Sequence, residues 1–475
     1  MTLLEKDIQC LFFEFLSSKI SISVNDENAK FGNYSINLIN NTKKKPSFVL
    51  KQPENEDIVD KLREIFRGKE NDCINYDEWE LQIVEGLFGM NKLCSGTLYK
   101  IMNDEKNWKY LAPEAYLNDK FSIQIEYNKV EDLVCKKLNM VQSDGVLNYF
   151  KLLSKLSRSK DYISPFGFKP LLDEIVNRHK ALKFLVEDEI FKELYIETII
   201  SRIYYELDIL ELRKLRFKDF KNTDLVDILI NMKGNESFDD LINYFNYQHF
   251  YVLYSRFVEL DSDEDHYLTL EEFKKHDFGS LTVNALTRIW ECNINQKKEL
   301  FEDELNRNRK MSYHDFIYFY ISDEDKTTER SIRYWFEIID FDCDGWISSN
   351  EIEHFFREQK NRCNVLNYFV PELNNISCMM NDLLMPGIHG RYRLDDFLRN
   401  KLVAGHFFNV LVNTKKCLTS MFMDAELNSI QAMIFPKLGC KSLSPWELHC
   451  QYQYQIIQDS RNDENTEGKE KHNKY

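Results

Sequence analysis

Residues 340–351 read D-F-D-C-D-G-W-I-S-S-N-E, and this stretch decides the fold. Acidic side chains occupy positions 1, 3, 5 and 12 of a twelve-residue loop, and Gly345 occupies position 6, where the chain must turn sharply. A hard cation such as Ca²⁺ prefers several oxygen ligands at once. An acidic turn between helices is the alternative, but five constrained positions agree with the calcium pattern. The predicted ligands are Asp340, Asp342, Asp344, Glu351 and, through its backbone carbonyl, Trp346.

Apolar residues with helical spacing flank this loop on both sides. Ile332, Trp335, Phe336 and Ile339 fall on one face before it. After it, the same pattern continues with Ile352, Phe355 and Phe356. A calcium loop between two amphipathic helices is an EF-hand.

A second acidic loop, residues 261–272, reads D-S-D-E-D-H-Y-L-T-L-E-E. Its position 6 is His266, and a residue with a Cβ adopts the backbone conformation needed there at a cost that glycine does not have. We therefore expect weaker calcium binding than at 340–351. A loop that keeps the EF-hand shape without holding calcium in cells is the alternative. The predicted ligands are Asp261, Asp263, Asp265, Tyr267 and Glu272.

EF-hands normally fold in pairs, and two degenerate loops lie where partners are needed. Loop 304–315 has Met311 at position 8, and loop 385–396 has Tyr392 there. Neither loop has the acidic triplet, so we expect both to pair with a calcium loop without binding metal. A further stretch, 67–78, resembles the second half of such a loop but lacks the acidic triplet. The sequence leaves open whether 67–78 is a degenerate EF-hand or an ordinary helix start.

Composition restricts the class of protein. The chain has 475 residues, 43% of them hydrophobic, and only 15 Gly and 9 Pro, which favours a folded, helical protein. A net charge of −16 argues against general nucleic-acid binding. The 11 cysteines form no C-x-x-C pair, which indicates reduced thiols in the cytosol or nucleus. No uncharged run approaches the ~20 residues of a membrane span.

No enzyme motif is visible in the sequence. A P-loop, a G-x-S-x-G elbow, an H-E-x-x-H pair and a Rossmann glycine run are all missing. The 10 histidines are dispersed without metal-ligand spacing. We therefore expect no catalytic residues.

The predicted fold is all-α: an elongated array of EF-hand pairs joined by short β bridges between loops. Residues 1–47 form a helix and a loose polar segment. Residues 48–233 form a helical region with the possible degenerate EF-hand, and Gly234 marks its end. Residues 234–458 form two EF-hand pairs with one working calcium loop each, and the polar tail 459–475 is expected to be disordered.

Several stretches carry a resemblance to a known family. YFNYQHFYVLYSRFVELDSDED (244–265), KMSYHDFIYFYISDEDK (310–326) and SIRYWFEIIDFDCDG (331–345) resemble the B″ regulatory subunits of protein phosphatase 2A. The upstream block DYISPFGFKPLLDEIVNRHKALKFL is also similar to that family. The match covers roughly residues 161–400 in the same order. Departures are a shortened connection near 207–213 and His266 in the first calcium loop.

The resemblance implies a regulatory protein. B″ subunits are not catalysts; they dock on a HEAT-repeat scaffold subunit and contact the catalytic phosphatase subunit, and calcium can tune the assembly. They select phosphoprotein substrates and their location, which implies a cytoplasmic protein, with nuclear, centrosomal or cytoskeletal sites open. Two alternatives remain: a free calcium sensor that binds targets through an apolar groove, and a structural protein of the cytoskeleton or centrosome.

Overall fold

A computed structural model describes residues 58–104, 123–140, 144–237, 241, 243–292, 310–422 and 444–472, and this part of the chain is mainly helical. The first α-helices are Ile58–Phe66, Tyr76–Glu78, Ser95–Met102, Tyr127–Asp132, Gly145–Leu156, Pro165–Arg178, Glu189–Leu207, Phe217–Phe220 and Asp224–Asn231. The later ones are Tyr247–Val258, Leu270–Phe273, Val283–Cys292, Tyr313–Glu324, Glu329–Ile339, Ser349–Val365, Leu373–Leu384, Leu394–Arg399, Lys401–Val412, Thr414–Phe422 and Pro445–His472.

Shorter helical segments complete the pattern. Two α-helices continue directly as π-helix, over Trp79–Leu87 and Leu133–Lys137. The 3-10 segments are Glu70–Asp72, Lys92–Cys94, Lys180–Glu187, Asn243–Phe245 and His276–Gly279. The predicted all-α class is confirmed.

The strands among the described residues are short and form four antiparallel pairs. They are β1 (Cys73–Asn75) with β2 (Gln124–Glu126), β3 (Tyr162–Ile163) with β4 (Leu215–Arg216), β5 (Tyr267–Leu268) with β6 (Met311–Ser312), and β7 (Ile347–Ser348) with β8 (Arg391–Tyr392). Every pair sets one buried side chain against another: Ile74 against Ile125, Ile163 against Leu215, Leu268 against Met311, and Ile347 against Tyr392. The last two are the loop pairings that the sequence predicts.

A helix begins directly after each strand, and an acidic side chain often caps it. Glu272 and Glu351 each accept a hydrogen bond from the backbone at the N-cap, in capping boxes with Thr269 and Ser348. The residue at position 12 of each calcium loop is therefore also part of the helix start. This double role holds the carboxylate beside the loop.

The buried side chains form two cores. The first core runs from Ile58 to Phe250, and the second contains Val252 to Cys450 together with Tyr205. The boundary between the two cores thus falls inside the helix Tyr247–Val258. The sequence predicted it earlier in the chain, at Gly234. Gly234 has a φ of +77°, and its carbonyl accepts a hydrogen bond from Lys180, which ties it to the first core.

The two ends of the chain differ in what the structure describes. Residues 1–47 lie outside the described residues. The helix Pro445–His472 continues through most of the segment 459–475, which we expected to be disordered. Its start is anchored by Trp446, whose ring lies 5.7 Å from that of His249 and 6.2 Å from that of Tyr320. The Glu, Lys and Arg residues in the segment are good helix formers, so an anchored helix can continue into it.

None of the helices among the described residues is both long enough and apolar enough to cross a bilayer.

Candidate calcium sites

The 340–351 loop folds around its own carboxylates. Oxygens of Asp340, Asp342 and Glu351 lie within 4.8 Å of one another. Asp340 accepts hydrogen bonds from the backbone N–H of Asp344 (3.1 Å) and Gly345 (3.0 Å). Glu351 accepts from Phe341 (2.9 Å) as well as from its capping partner. The loop therefore brings three of the four predicted carboxylate ligands into one small volume.

The fourth carboxylate of this loop is turned toward the partner loop. Asp344 accepts a hydrogen bond from the Trp346 N–H at 2.8 Å and forms an ion pair with Arg391 at 3.1 Å. Arg391 lies in β8, at position 7 of the 385–396 loop. The guanidinium is also 5.3 Å from the centre of the Trp346 ring.

The 261–272 loop makes the same backbone contacts, but its carboxylate cluster joins positions 1, 3 and 5 instead of 1, 3 and 12. Oxygens of Asp261, Asp263 and Asp265 lie within 4.8 Å of one another. Asp261 accepts from the His266 N–H at 3.0 Å, as Asp340 accepts from Gly345. Glu272 accepts from the Ser262 N–H at 2.9 Å, as Glu351 accepts from Phe341. The predicted position-7 residue, Tyr267, donates its N–H to Asp265 at 2.9 Å.

Position 6 has a left-handed backbone in both loops. The φ angle is +83° at Gly345 and +65° at His266. Open space surrounds Gly345, so only its backbone freedom is used there. A side chain in this region costs roughly 1–2 kcal/mol, although histidine tolerates it better than most residues. The strain predicted from the sequence is present at His266.

The donor set of both loops fits a hard divalent cation. In the 261–272 loop, Asp261 Oδ1 is buried and has no hydrogen-bond partner among the described residues. A buried carboxylate oxygen without a partner is costly, and a cation would remove that cost. Clustered carboxylates also repel one another, and Ca²⁺ would neutralise them with the oxygen ligands that it prefers.

Burial affects the acids differently in the two loops. It raises the pKa of Asp261, Asp340 and Glu351 above their usual values. Burial also acts to raise the pKa of Glu272, but hydrogen bonds from Thr269, Ser262 and Asp263 together outweigh it, and the pKa of Glu272 is lowered. The position-12 carboxylate of the 261–272 loop is thus held more firmly in its charged form.

The described parts of the partner loops supply apolar and basic side chains at positions 7 and 8. Met311 and Tyr392 are buried at position 8, as predicted. Lys310, the residue before Met311, contacts Asp265 and lies 3.9 Å from Asp263. Residues 304–309, where this loop is predicted to lack ligands, lie outside the described residues.

The ambiguous stretch 67–78 has an EF-hand loop's geometry. Ile74 in β1 pairs with Ile125 in β2, as Leu268 pairs with Met311. A capping box joins Asn75 to Glu78 at position 12. The ammonium group of Lys69, at position 3, forms an ion pair with Glu78. This loop thus pairs a position-12 carboxylate with a lysine rather than leaving it for a metal.

The β3–β4 pair was missed by the sequence reasoning. Both of its strands lead into helices, but the loops before them lack acidic triplets. A simpler sequence pattern marks all four pairs: the buried apolar residue of each strand is followed five positions later by another buried apolar residue. The pairs of residues are Ile74 and Trp79, Ile125 and Val130, Ile163 and Phe168, Leu215 and Phe220, Leu268 and Phe273, Met311 and Phe316, Ile347 and Ile352, and Tyr392 and Phe397.

The two calcium loops are connected through their helices. Arg288, in the helix Val283–Cys292, donates to the backbone carbonyls of Ile338 and Asp340 at 3.2 Å each. Glu358, in the helix that leaves the 340–351 loop, accepts from the N–H groups of Val283 (2.6 Å) and Asn284 (3.0 Å). These hydrogen bonds join the helix Val283–Cys292 to the 340–351 loop and to the helix that leaves it.

Comparison with known proteins agrees with this geometry. A family model described as an EF-hand domain matches residues 144–235, the region of the β3–β4 pair rather than the two acidic loops. A probable B″epsilon regulatory subunit of serine/threonine protein phosphatase 2A from Arabidopsis thaliana is 31% identical over 66% of this chain and 57% of its own length. The human B″ subunit beta is 30% identical over 66% of this chain and 52% of its own. This chain thus spans just over half the length of these curated relatives.

A solved structure described as a PP2A PR70 holoenzyme contains a similar chain. The two chains are 30% identical with a TM-score of 0.52, and the match covers 58% of this chain and 98% of that one. Near-complete coverage at this identity exceeds what a shared EF-hand alone would give. The chain belongs to the B″ regulatory subunit family of protein phosphatase 2A.

Proposed function

We propose that this chain is a calcium-binding regulatory subunit of protein phosphatase 2A. It docks on the scaffold and catalytic subunits, and it directs substrate choice and location without catalysing dephosphorylation itself. The observation that carries the calcium part is the pair of carboxylate clusters, each within 4.8 Å, in a chain of the B″ family. The holoenzyme description of the similar solved chain supports the assembly part.

Calcium is bound by the residues that the sequence selects. In the 340–351 loop these are Asp340, Asp342, Asp344, Glu351 and the Trp346 carbonyl. In the 261–272 loop they are Asp261, Asp263, Asp265, Glu272 and the Tyr267 carbonyl. Bound calcium supplies the positive charge that holds each loop and its two helices in one arrangement.

The helix Ser349–Val365 carries the effect of calcium away from the loop. It begins beside Glu351, and its Phe355 and Phe356 are buried in the second core. Its Gln359 accepts a hydrogen bond from Thr414 at 3.0 Å, which links it to the helix Thr414–Phe422. A shift of Glu351 toward calcium therefore changes how several helices pack, and with them the surface offered to a partner.

Assembly assays with a matched pair of variants test this proposal. Binding of the full chain to the purified scaffold–catalytic pair is measured with calcium and with chelator. Glu351→Gln removes the charge of one predicted ligand. Glu353→Gln is the control, because Glu353 is an exposed acid on the same helix that forms an ion pair with Arg357. Because coupling is reciprocal, calcium that strengthens assembly must itself bind more tightly in the complex.

The expected result is stronger assembly in calcium for the wild type and Glu353→Gln, and loss of that gain in Glu351→Gln. Equal assembly under both conditions would remove calcium control but keep the subunit role. No binding to the scaffold–catalytic pair under any condition would overturn the subunit role and favour a free sensor or a cytoskeletal protein. Phosphatase activity that tracks the purified chain alone would overturn the non-catalytic assignment.

A further inference from the structure

Each calcium loop is contacted by a basic side chain from its partner loop, at the same place. Lys310 and Arg391 both occupy position 7 of a partner loop, immediately before the buried residue at position 8. Lys310 contacts Asp265, and Arg391 contacts Asp344. Asp265 and Asp344 are the position-5 carboxylates of the two calcium loops, so the contact repeats in both pairs.

The strand pairing explains why this contact recurs. Successive side chains of a strand point to opposite faces. Because position 8 is buried against the position 8 of the other loop, position 7 must point away from the core. A long basic side chain there extends along the rim toward the carboxylates of the paired loop. The contact follows from antiparallel pairing and not from a chance surface encounter.

The two contacts differ in geometry. Lys310 reaches two carboxylates, contacting Asp265 and lying 3.9 Å from Asp263. Arg391 reaches one, and its guanidinium also lies 5.3 Å from the centre of the Trp346 ring. An ammonium is a compact point charge, whereas a guanidinium is planar and stacks on aromatic rings. Lys310 therefore resembles a metal cation bound among the carboxylates more closely than Arg391 does.

A third loop of the same chain shows a lysine paired with a ligand position. In the 67–78 loop, Lys69 forms its ion pair with Glu78, the position-12 carboxylate. There the basic residue belongs to the loop itself, and the acidic triplet is missing. Side-chain cations thus serve as counter-ions for carboxylates in three loops, 67–78, 261–272 and 340–351.

We propose that Lys310 and Arg391 are intramolecular competitors of calcium that set the affinity of the loop each one contacts, with Lys310 the stronger competitor. Calcium must share or displace these contacts to use the position-5 carboxylate, and it meets their positive charge at short range. The partner loops, which we expect not to bind metal, thereby tune the loops that do. This inference rests on the proposed function, because it requires both acidic loops to bind calcium.

Calcium titrations of full-length variants test the inference. Asp340→Ala is used as background so that only the 261–272 loop remains, and calcium binding is followed by calorimetry near physiological salt. Removing a unit charge about 6 Å from a divalent ion changes affinity by about threefold to tenfold, after solvent and salt screening. Lys310→Gln is therefore expected to tighten binding by that factor, and Lys310→Arg to leave it close to the background.

A matched control separates contact from general charge. Lys275 donates to Ser262 Oγ at 3.3 Å, so it adds the same charge near the same loop without contacting a ligand. Lys275→Gln should change affinity by about twofold or less. In the Asp261→Ala background, Arg391→Gln should tighten the 340–351 loop by less than Lys310→Gln tightens the other. Arg393→Gln, whose guanidinium stacks on Trp346 at 4.0 Å, is the control there.

The outcomes are separable. Equal effects of Lys310→Gln and Lys275→Gln, or no tightening by Lys310→Gln, would overturn the competitor role while leaving calcium binding intact. Absence of any calcium binding in the wild type would instead overturn the calcium part of the proposed function. Thermal unfolding in chelator checks each variant; if Lys310→Gln is destabilised, Lys310→Met, which keeps the aliphatic stem, is titrated in its place and judged by the same criterion.

Discussion

The 261–272 and 340–351 loops have the same backbone but different surroundings. Both place a left-handed residue at position 4, Glu264 and Cys343, and both tie positions 1 and 12 to the same backbone groups. They differ at position 6 and in the basic residue that reaches them from the partner loop. The comparison teaches that a shared ligand set does not imply a shared affinity, because strain and nearby charge act on the loop from outside that set.

The largest expected effect separates the two sites outright. Asp340→Ala should abolish the tighter calcium site and Asp261→Ala the weaker one, each lowering affinity on the order of a hundredfold, because position 1 supplies a buried carboxylate ligand. Calorimetric titration of the full chain measures both. Asp395→Ala, an exposed acid in a partner loop, serves as the control and should change neither site. Two equal sites in the wild type would remove the ranking.

The next effect tests whether the loops share one scaffold. Ile347→Ala and Leu268→Ala each leave a cavity at a fully buried strand position and should cost about 2–5 kcal/mol of stability. Chemical denaturation in chelator, followed by circular dichroism, measures the loss. Val258→Ala, which truncates a side chain that is 46% exposed, should cost about 0.5 kcal/mol or less. A loss at one strand only would mean that the two pairs are not equivalent.

A reciprocal exchange at position 6 gives a smaller effect. His266→Gly should tighten the 261–272 loop by about fivefold, since relief of left-handed strain is worth about 1 kcal/mol. Gly345→His should weaken the 340–351 loop by a similar factor. His266→Ala keeps the Cβ and removes the imidazole, so it should not tighten binding. Tightening by alanine as well would assign the effect to the imidazole and not to the backbone.

The smallest effect concerns the loop that carries its own lysine. Lys69→Gln should cost less than about 1 kcal/mol of stability, because the Lys69–Glu78 pair is partly exposed. It should not create a calcium site, since position 1 of this loop is Arg67, which has no oxygen ligand in its side chain. Denaturation and calcium titration of the variant measure the two results. A new calcium site in Lys69→Gln would show that the lysine alone keeps this loop free of metal.

Much of the fold could be predicted because EF-hands are local in sequence. In each EF-hand, the acidic triplet, the residue at position 6 and the flanking apolar faces lie within about 30 residues. Their geometry therefore follows from short-range rules. The pairing of Leu268 with Met311 and of Ile347 with Tyr392 was predicted from position 8 alone and is observed. These predictions needed only the loop pattern and the rule that such loops pair.

Other features could not be predicted from local pattern. The β3–β4 pair has no acidic loop, so its strands carry only the apolar signal, which many helical proteins share. The stretch 67–78 remained ambiguous because it lacks the acidic triplet, so the loop pattern alone did not identify it or its strand partner, 124–126. The helix beyond Asp459 was missed because its composition is polar, whereas its anchoring depends on Trp446 contacts with distant residues.

The sequence by itself determined the ligands of both loops, the glycine-to-histidine difference at position 6 and the resemblance to the B″ family. Only the tertiary structure decided which side chains reach those ligands. Lys310 and Arg391 lie more than 40 residues after Asp265 and Asp344 in the sequence, and the antiparallel strand pairs bring them onto those carboxylates. The physical reason is that ligand identity is a property of one short loop, whereas the electrostatic field at that loop is the sum of every charge that folding places beside it.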